Sequence, residues 1–378
     1  MKLIYCDHAA TTPVKTEVLN EMLPYFSENY GNASSIYSIG RRSKRAIDMA
    51  RSRVAIAIGA KDKEIYFTSC GSESDNLALK GYAKANSKNG KHIITTKIEH
   101  PAILNTCKTL ENEGFEITYL NVSSNGLINL EELKNSIKPE TILISIMFAN
   151  NEIGTIQPIK EISKIAKENN IVFHTDAVQA VGNVKINVEE LGIDMLSMSA
   201  HKFYGPKGMG ALYVKEGIEF SRIQDGGHQE NNKRAGTENV AGIVGLGKAI
   251  EIANLNIENY NSKLKKLRNY FISEITSKYP RAKINGDLEN RLPGNINISF
   301  PNVDGEELLL KLDNLGICAS AGSACSSGSS DPSHVLLAIG LEKSYIDGTL
   351  RFTLGEENSI EDMQYVVKLL ITILSSIE

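Results

Sequence analysis

Residues 194–210 read DMLSMSAHKFYGPKGMG. The run from Asp194 to Ala200 is dominated by apolar and small side chains and predicts a short buried strand. Lys202 follows, and Gly205-Pro206 and Gly208 then predict a turn. Most lysines are surface charges. One placed at the end of a buried strand is partly desolvated, which lowers its pKa and makes the amine a nucleophile.

Outward from this stretch, apolar runs alternate with amphipathic ones. EIYFT (64–68), HIITT (92–96), FEITYL (115–120), TILISIMF (141–148) and IVFHTD (171–176) predict strands. Helices are expected at ESDNLALKGYAKAN (73–86), near 101–113, from 129, and at ISKIAKENN (162–170). This rhythm predicts an α/β fold with a mostly parallel sheet covered by helices on both faces. A long helical region, 239–279, breaks it and ends near Tyr279-Pro280. NINISF (295–300), EELLLKLDNLG (306–316), a helix at DPSHVLLAIG (331–340), TLRFTLG (349–355) and a last helix follow. In the last helix Met363, Val366, Val367, Leu370 and Leu374 share one face. We expect a large domain of residues 14–255 and a smaller α+β domain of 1–13 and 256–378.

The chain has 378 residues, 42 % hydrophobic and 23 % charged, with net charge −4. That balance suits a globular protein and offers no basic face for nucleic acid. Leu3–Cys6 is too short for a signal peptide, and the run at 142–149 is too short to cross a bilayer, so a cytoplasmic protein is expected. Five cysteines without a CxxC pair argue against a disulfide framework and against a metal site. Packing is expected for Cys6, Cys70, Cys107 and Cys318.

In open parallel sheets ligands bind at the carboxyl ends of strands. After EIYFT, SCGSESDN predicts a turn whose free amides at Gly71, Ser72 and Glu73 form an anion cup. His100-Pro101 follows HIITT, and Asn150-Asn151-Glu152 follows the 141–148 run. Asp176, then Gln179, follow IVFHT. A carboxylate there needs a cationic partner. These are the parts of a pyridoxal phosphate site: an imine-forming amine (Lys202), an acid for the pyridinium nitrogen (Asp176), an anion cup and a flat imidazole over the ring (His100).

The chain resembles the group I cysteine desulfurases of the NifS/IscS type, within the fold-type I pyridoxal phosphate transferases. The matching segments are DHAATTP (7–13), GNASSIYSIGR (31–41), FTSCGSESDN (67–76), IEHPA (98–102), NNEIG (150–154), HTDAVQ (174–179), SAHKFYGPKG (199–208), RAGTEN (234–239), SAGSACSSG (320–328) and RFTLG (351–355). The resemblance implies a homodimer that converts L-cysteine to L-alanine and passes the sulfur to Cys325 as a persulfide. A sulfur acceptor, such as an iron–sulfur scaffold protein, would receive it. It implies that Lys202 holds the cofactor, Asp176 pairs with its ring nitrogen, and Gln179 bonds its ring hydroxyl. His100 stacks on the ring and assists proton transfer. Gly71, Ser72, Ser199 and His201 hold the phosphate, with Thr237 reaching it from the partner subunit. Asn151 lies near the ring hydroxyl and the substrate carboxylate, and Arg351 clamps that carboxylate.

Three departures stand out. The turn reads CGS where many relatives have GAT, Tyr37 stands where relatives often have His, and 226–233 reads GGHQENNK. The run ASAGSACSSGSS (319–330) offers Cys325 nothing to pack against and predicts a flexible carrier segment. The alternative on this fold is an aminotransferase or a cysteine β-lyase, for which a carrier thiol has no use. A non-catalytic sulfur-relay protein would not need the Lys202–Asp176 pairing.

Overall fold

The computed structural model describes residues 2–321 and 332–377, and Cys325 lies outside them. The chain opens with β1 (Ile4–Tyr5), α1 (Thr16–Met22), α2 (Pro24–Ser27) and α3 (Ser38–Ile58). Alternation then sets in: β2 (Ile65–Thr68), α4 (Gly71–Asn86), β3 (His92–Thr96), α5 (Pro101–Asn112), β4 (Glu116–Leu120) and α6 (Leu130–Asn135). It continues through β5 (Thr141–Ser145), α7 (Ile159–Glu168), β6 (Val172–Asp176), α8 (Val188–Leu191), β7 (Met195–Ser199) and β8 (Gly210–Val214).

These strands form one sheet in the order β2-β8-β7-β6-β5-β3-β4. The steps from β7 to β4 are parallel, while β8 is antiparallel to both β7 and β2. Two reversals bring β2 back to the direction of β7, so its C-terminal end opens on the same edge as the parallel strands. Successive side chains point to opposite faces. Ile94, Ile144, Leu196 and Tyr213 therefore enter one core with α3 and α7. Their neighbours Ile93, Leu143, Met195 and Leu212 enter another with α4 and α5. Covering both faces is why these strands read as unbroken apolar runs.

Strand β8 was not expected from the sequence. It returns directly from β7 through the Gly-Pro turn, so no helix announces it. The 141–148 run is strand only as far as Ser145.

Helix α9 (Val240–Lys278) is long and apolar enough to cross a membrane by length and composition, but 56 % of its most apolar window is buried inside the protein. Its first half packs Ile243, Leu246 and Ile250 with the large sheet. Its second half packs Leu264, Phe271 and Ile275 into a separate core. The elements around that core are β9 (Lys283–Ile284), β10 (Asn295–Ser299), α10 (Gly305–Asp313), β11 (Ile317–Cys318) and β12 (Ser320–Ala321). Then come α11 (His334–Ala338), α12 (Lys343–Ile346), β13 (Thr349–Thr353) and α13 (Ile360–Ile377). An antiparallel sheet runs β12-β13-β10-β9, and β1 pairs with β11. Met363, Val366, Val367, Leu370 and Leu374 are all buried in that second core, as their spacing predicted.

Candidate active site

A cavity of about 210 Å³ opens at the C-terminal ends of β2, β3, β5, β6 and β7. Nine of the residues singled out from the sequence line it: Gly71, Ser72, His100, Asn151, Asp176, Gln179, Ser199, His201 and Lys202. They come from five segments of chain, and the sheet order is what brings them together.

Lys202 sits on a single 3-10 turn directly after β7. The loop between β1 and α1 holds that turn. Thr12 Oγ1 donates to the His201 carbonyl at 3.0 Å and accepts the Tyr204 amide at 2.8 Å. The Lys202 ammonium donates to the carbonyls of Ala9 and Ala10 at 2.5 and 2.8 Å. Gln179 Nε2 donates to the same Ala9 carbonyl at 3.0 Å.

Asp176 is the last residue of β6, and its Oδ1 accepts the Val178 amide at 2.9 Å. Burial pushes its pKa up, opposed by the positive potential of His100, that amide and Lys202. Two further carboxyls lie buried behind it. Asp75 lines the cavity, and burial together with repulsion from Asp176 raises its pKa well above the ordinary value. Glu99 is pushed to about 8, chiefly by burial, although it accepts from Thr96 and from the Met147 amide. This edge of the sheet therefore gathers carboxyls in a dry place where ionisation is penalised, and a cation bound beside Asp176 would offset that penalty.

His100 caps α5, with Pro101 at the first helical position. Its Nδ1 accepts the Ala102 amide at 3.1 Å, so the ring proton resides on Nε2. Burial holds its pKa low, with Asp176 pulling it back up. His201 is depressed to about 4, mainly by burial, and its Nδ1 meets Thr11 Oγ1 at 3.1 Å.

The N-terminus of α4 meets the cavity at Cys70, Gly71 and Ser72, and no side chain caps it. Its first amides and the helix dipole could hold an anion there. Gly71 is required by close approach, since a Cβ there would stand 2.6 Å from Val178 Cγ2. The RAGTEN loop is tied to the same helix by Arg234, whose Nε reaches Glu73 Oε1 at 2.8 Å.

Arg351 and Thr237 do not line the cavity. Arg351, on β13, is 2 % exposed and donates from Nη1 to the carbonyl of Asn151, which does line it, at 3.1 Å. Thr237 is exposed on the surface. The packing expectation holds for Cys6 and Cys107, both fully buried. It fails for Cys70, which is half-buried and lines the cavity, because the turn at the end of β2 carries it along the rim. Cys318 is also half-buried. Among the described residues no cluster of His, Cys, Asp or Glu is arranged to hold a metal ion.

Two features escaped the sequence reading. Asp75 stands one helical turn beyond Gly71, so the period of 3.6 was the signal that would have placed it on the cavity side. Asp7 contacts Arg351 across 344 residues of chain, which no local pattern reveals.

The aminotransferase class-V family model matches residues 4–366. A cysteine desulfurase IscS of Clostridium botulinum is 57 % identical over 371 residues, covering 98 % of this chain and 94 % of the relative. The solved structure of a NifS-like protein superposes with a TM-score of 0.93 at 39 % identity, covering 99 % of this chain and all of the other. A structure of SspA in complex with cysteine gives a TM-score of 0.83 at 38 % identity over 94 % of this chain and 100 % of its own.

Proposed function

The chain belongs to the aminotransferase class-V family and is a cysteine desulfurase, and from that premise we propose which of its residues carry the reaction. The observation that carries the assignment is the convergence of the Lys202 amine, the buried Asp176 and the uncapped N-terminus of α4 on one cavity.

The donor set fits pyridoxal phosphate. The α4 amides with Ser72, Ser199 and His201 would hold its phosphate, and Asp176 would pair with its ring nitrogen. Gln179 and Asn151 would reach its ring hydroxyl, and Lys202 would hold its aldehyde carbon. The raised pKa of Asp176 supports this fit, because a protonated ring nitrogen supplies the positive charge that the buried carboxyl favours. When bound, the cofactor supplies an electron sink for the carbon next to the substrate amine.

The residues of this chain do the rest. Arg351 binds the substrate carboxylate. Lys202 Nζ, when not linked to the cofactor, has the Ala9 and Ala10 carbonyls to hold it as an ammonium. His100, whose Nε2 carries the ring proton, assists proton transfer. The Cys325 thiolate attacks the substrate sulfur. One S–S bond forms and the carbon–sulfur bond breaks. The products are a Cys325 persulfide and, after proton transfer to carbon, L-alanine. A sulfur acceptor, such as an iron–sulfur scaffold protein, then takes the terminal sulfur.

A homodimer in the cytoplasm completes this reading. Exposed Leu23, Phe26, Tyr30, Ile36 and Tyr37, from just before α2 to beyond it, support a covering second copy, and Thr237, exposed in this chain, would reach the phosphate held by the partner subunit. The division into 14–255 and 1–13 with 256–378 is supported by the passage of α9 from one core to the other.

The holoenzyme with L-cysteine and a reductant should release alanine and sulfide in equal amounts. Pyruvate and ammonia in their place would identify a β-lyase and overturn the assignment of Cys325.

A further inference from the structure

We propose that Asp7 is a positioning residue for the substrate carboxylate, acting by fixing the guanidinium of Arg351; this rests on the reading of Arg351 as the carboxylate clamp. Asp7 lies in the turn after β1, next to the residues that hold Lys202. Its Oδ1 accepts from Arg351 Nη2 at 2.9 Å, and its Oδ2 accepts from Ser320 Oγ on β12 at 2.8 Å. The carboxylate is thus held at both oxygens. The guanidinium is held at both terminal nitrogens, because Nη1 donates to the Asn151 carbonyl.

Fixing two corners of a planar group fixes its plane. Of the three guanidinium nitrogens of Arg351, Nε is then the one whose N–H is buried with no acceptor among the described residues, and each terminal nitrogen keeps a second proton. An incoming carboxylate binds a guanidinium edge through two parallel N–H bonds, of which Nε supplies one. Asp7 also supplies the negative charge that a 2 % exposed arginine needs. The other carboxyl whose potential couples to Arg351, Glu152, is held by Ser333 Oγ at 2.5 Å. Asp7 makes the direct ion pair and Glu152 does not.

The test uses holoenzyme variants and two probes. One is L-cysteine, followed by steady-state kinetics. The other is cysteamine, which has the same amine and thiol without the carboxylate, titrated by its change in cofactor absorbance. Asp7→Asn is expected to raise KM for L-cysteine by about ten-fold or more, with a smaller change in kcat. The half-saturating cysteamine concentration should stay within about two-fold. An unchanged KM, or equal weakening of both probes, overturns the proposal. Should Asp7→Asn not fold, Ser320→Ala decides. It leaves the charge pair intact and frees one oxygen, so a few-fold rise in KM with unchanged cysteamine response is expected, and no rise is contrary. Arg351→Gln separates the two levels. If it leaves KM for L-cysteine unchanged, Arg351 is not the clamp and the proposal falls with it. If it raises KM and Asp7→Asn does not, the role of Asp7 alone is overturned.

Discussion

The Lys202 ammonium donates to the carbonyl of Ala10 at 2.8 Å, joining the amine of the cavity to the N-terminal loop of the chain. The two residues are 192 positions apart in sequence. The loop comes from the turn after β1, whose partner strand β11 belongs to the smaller core's side of the molecule, while Lys202 lies in the turn that follows β7 of the large sheet. The site is therefore built where the two cores meet, and each contributes groups the other needs.

Lys202→Ala removes the amine and leaves a small cavity beside Ala9. Turnover should fall by roughly 10⁴-fold, the upper range for losing a positioned proton-transfer group, and the absorbance band of the lysine-linked cofactor should vanish. Circular dichroism should be unchanged, since Thr12 still holds the turn at the His201 carbonyl and the Tyr204 amide. Retained activity would remove Lys202 from the mechanism.

Asp176→Asn keeps the shape and the Val178 contact but removes the charge opposite the ring nitrogen. Activity should drop about 100-fold or more, with weaker cofactor retention on dialysis, because a neutral amide cannot keep the ring nitrogen protonated. A variant with full activity would show that the buried carboxyl serves only the fold.

Gly71→Ala introduces a Cβ within 2.6 Å of Val178 Cγ2 and 3.5 Å of Ser199 Cβ. The N-terminus of α4 must shift, at about 1–3 kcal/mol of strain. Cofactor affinity, read by equilibrium dialysis of the apoprotein, should weaken about ten-fold, more than overall stability suffers. Loss of stability with unchanged affinity would argue against an anion cup there.

Glu152 is pushed up to about 7, mainly by burial, with Ser333 and Arg351 pulling it back. Below about pH 4.5 both the folded and unfolded chains hold the proton, and there is no penalty. Between pH 4.5 and 7 only the unfolded chain releases it, so stability falls as pH rises. Above 7 the loss is constant, at most about 3 kcal/mol. Glu152→Gln should therefore gain stability relative to wild type between pH 5 and 8, read from urea midpoints. A difference that does not vary with pH would contradict the shift.

Much of this site was legible before the fold was seen. Lys202, Asp176 and His100 each follow an apolar run, and a parallel sheet must bring such strand ends to one edge. What stayed hidden depends on long-range pairing. Strand β8 returns without a helix. Asp7 reaches Arg351 only because β1 adds beside β11, and Ser333 finds Glu152 only once α11 has docked. Cys70 misled because a cysteine beside a strand is usually packed, whereas its turn faces the cavity.

The central claim is that sulfur leaves L-cysteine for Cys325. One equivalent of L-cysteine should be mixed with holoenzyme without reductant, and the digested protein examined by mass spectrometry. One added sulfur atom on the peptide carrying Cys325, with one alanine released and neither formed by Cys325→Ser, is the predicted result. Alanine release at the wild-type rate from Cys325→Ser, or added sulfur on another cysteine such as Cys70, would contradict it.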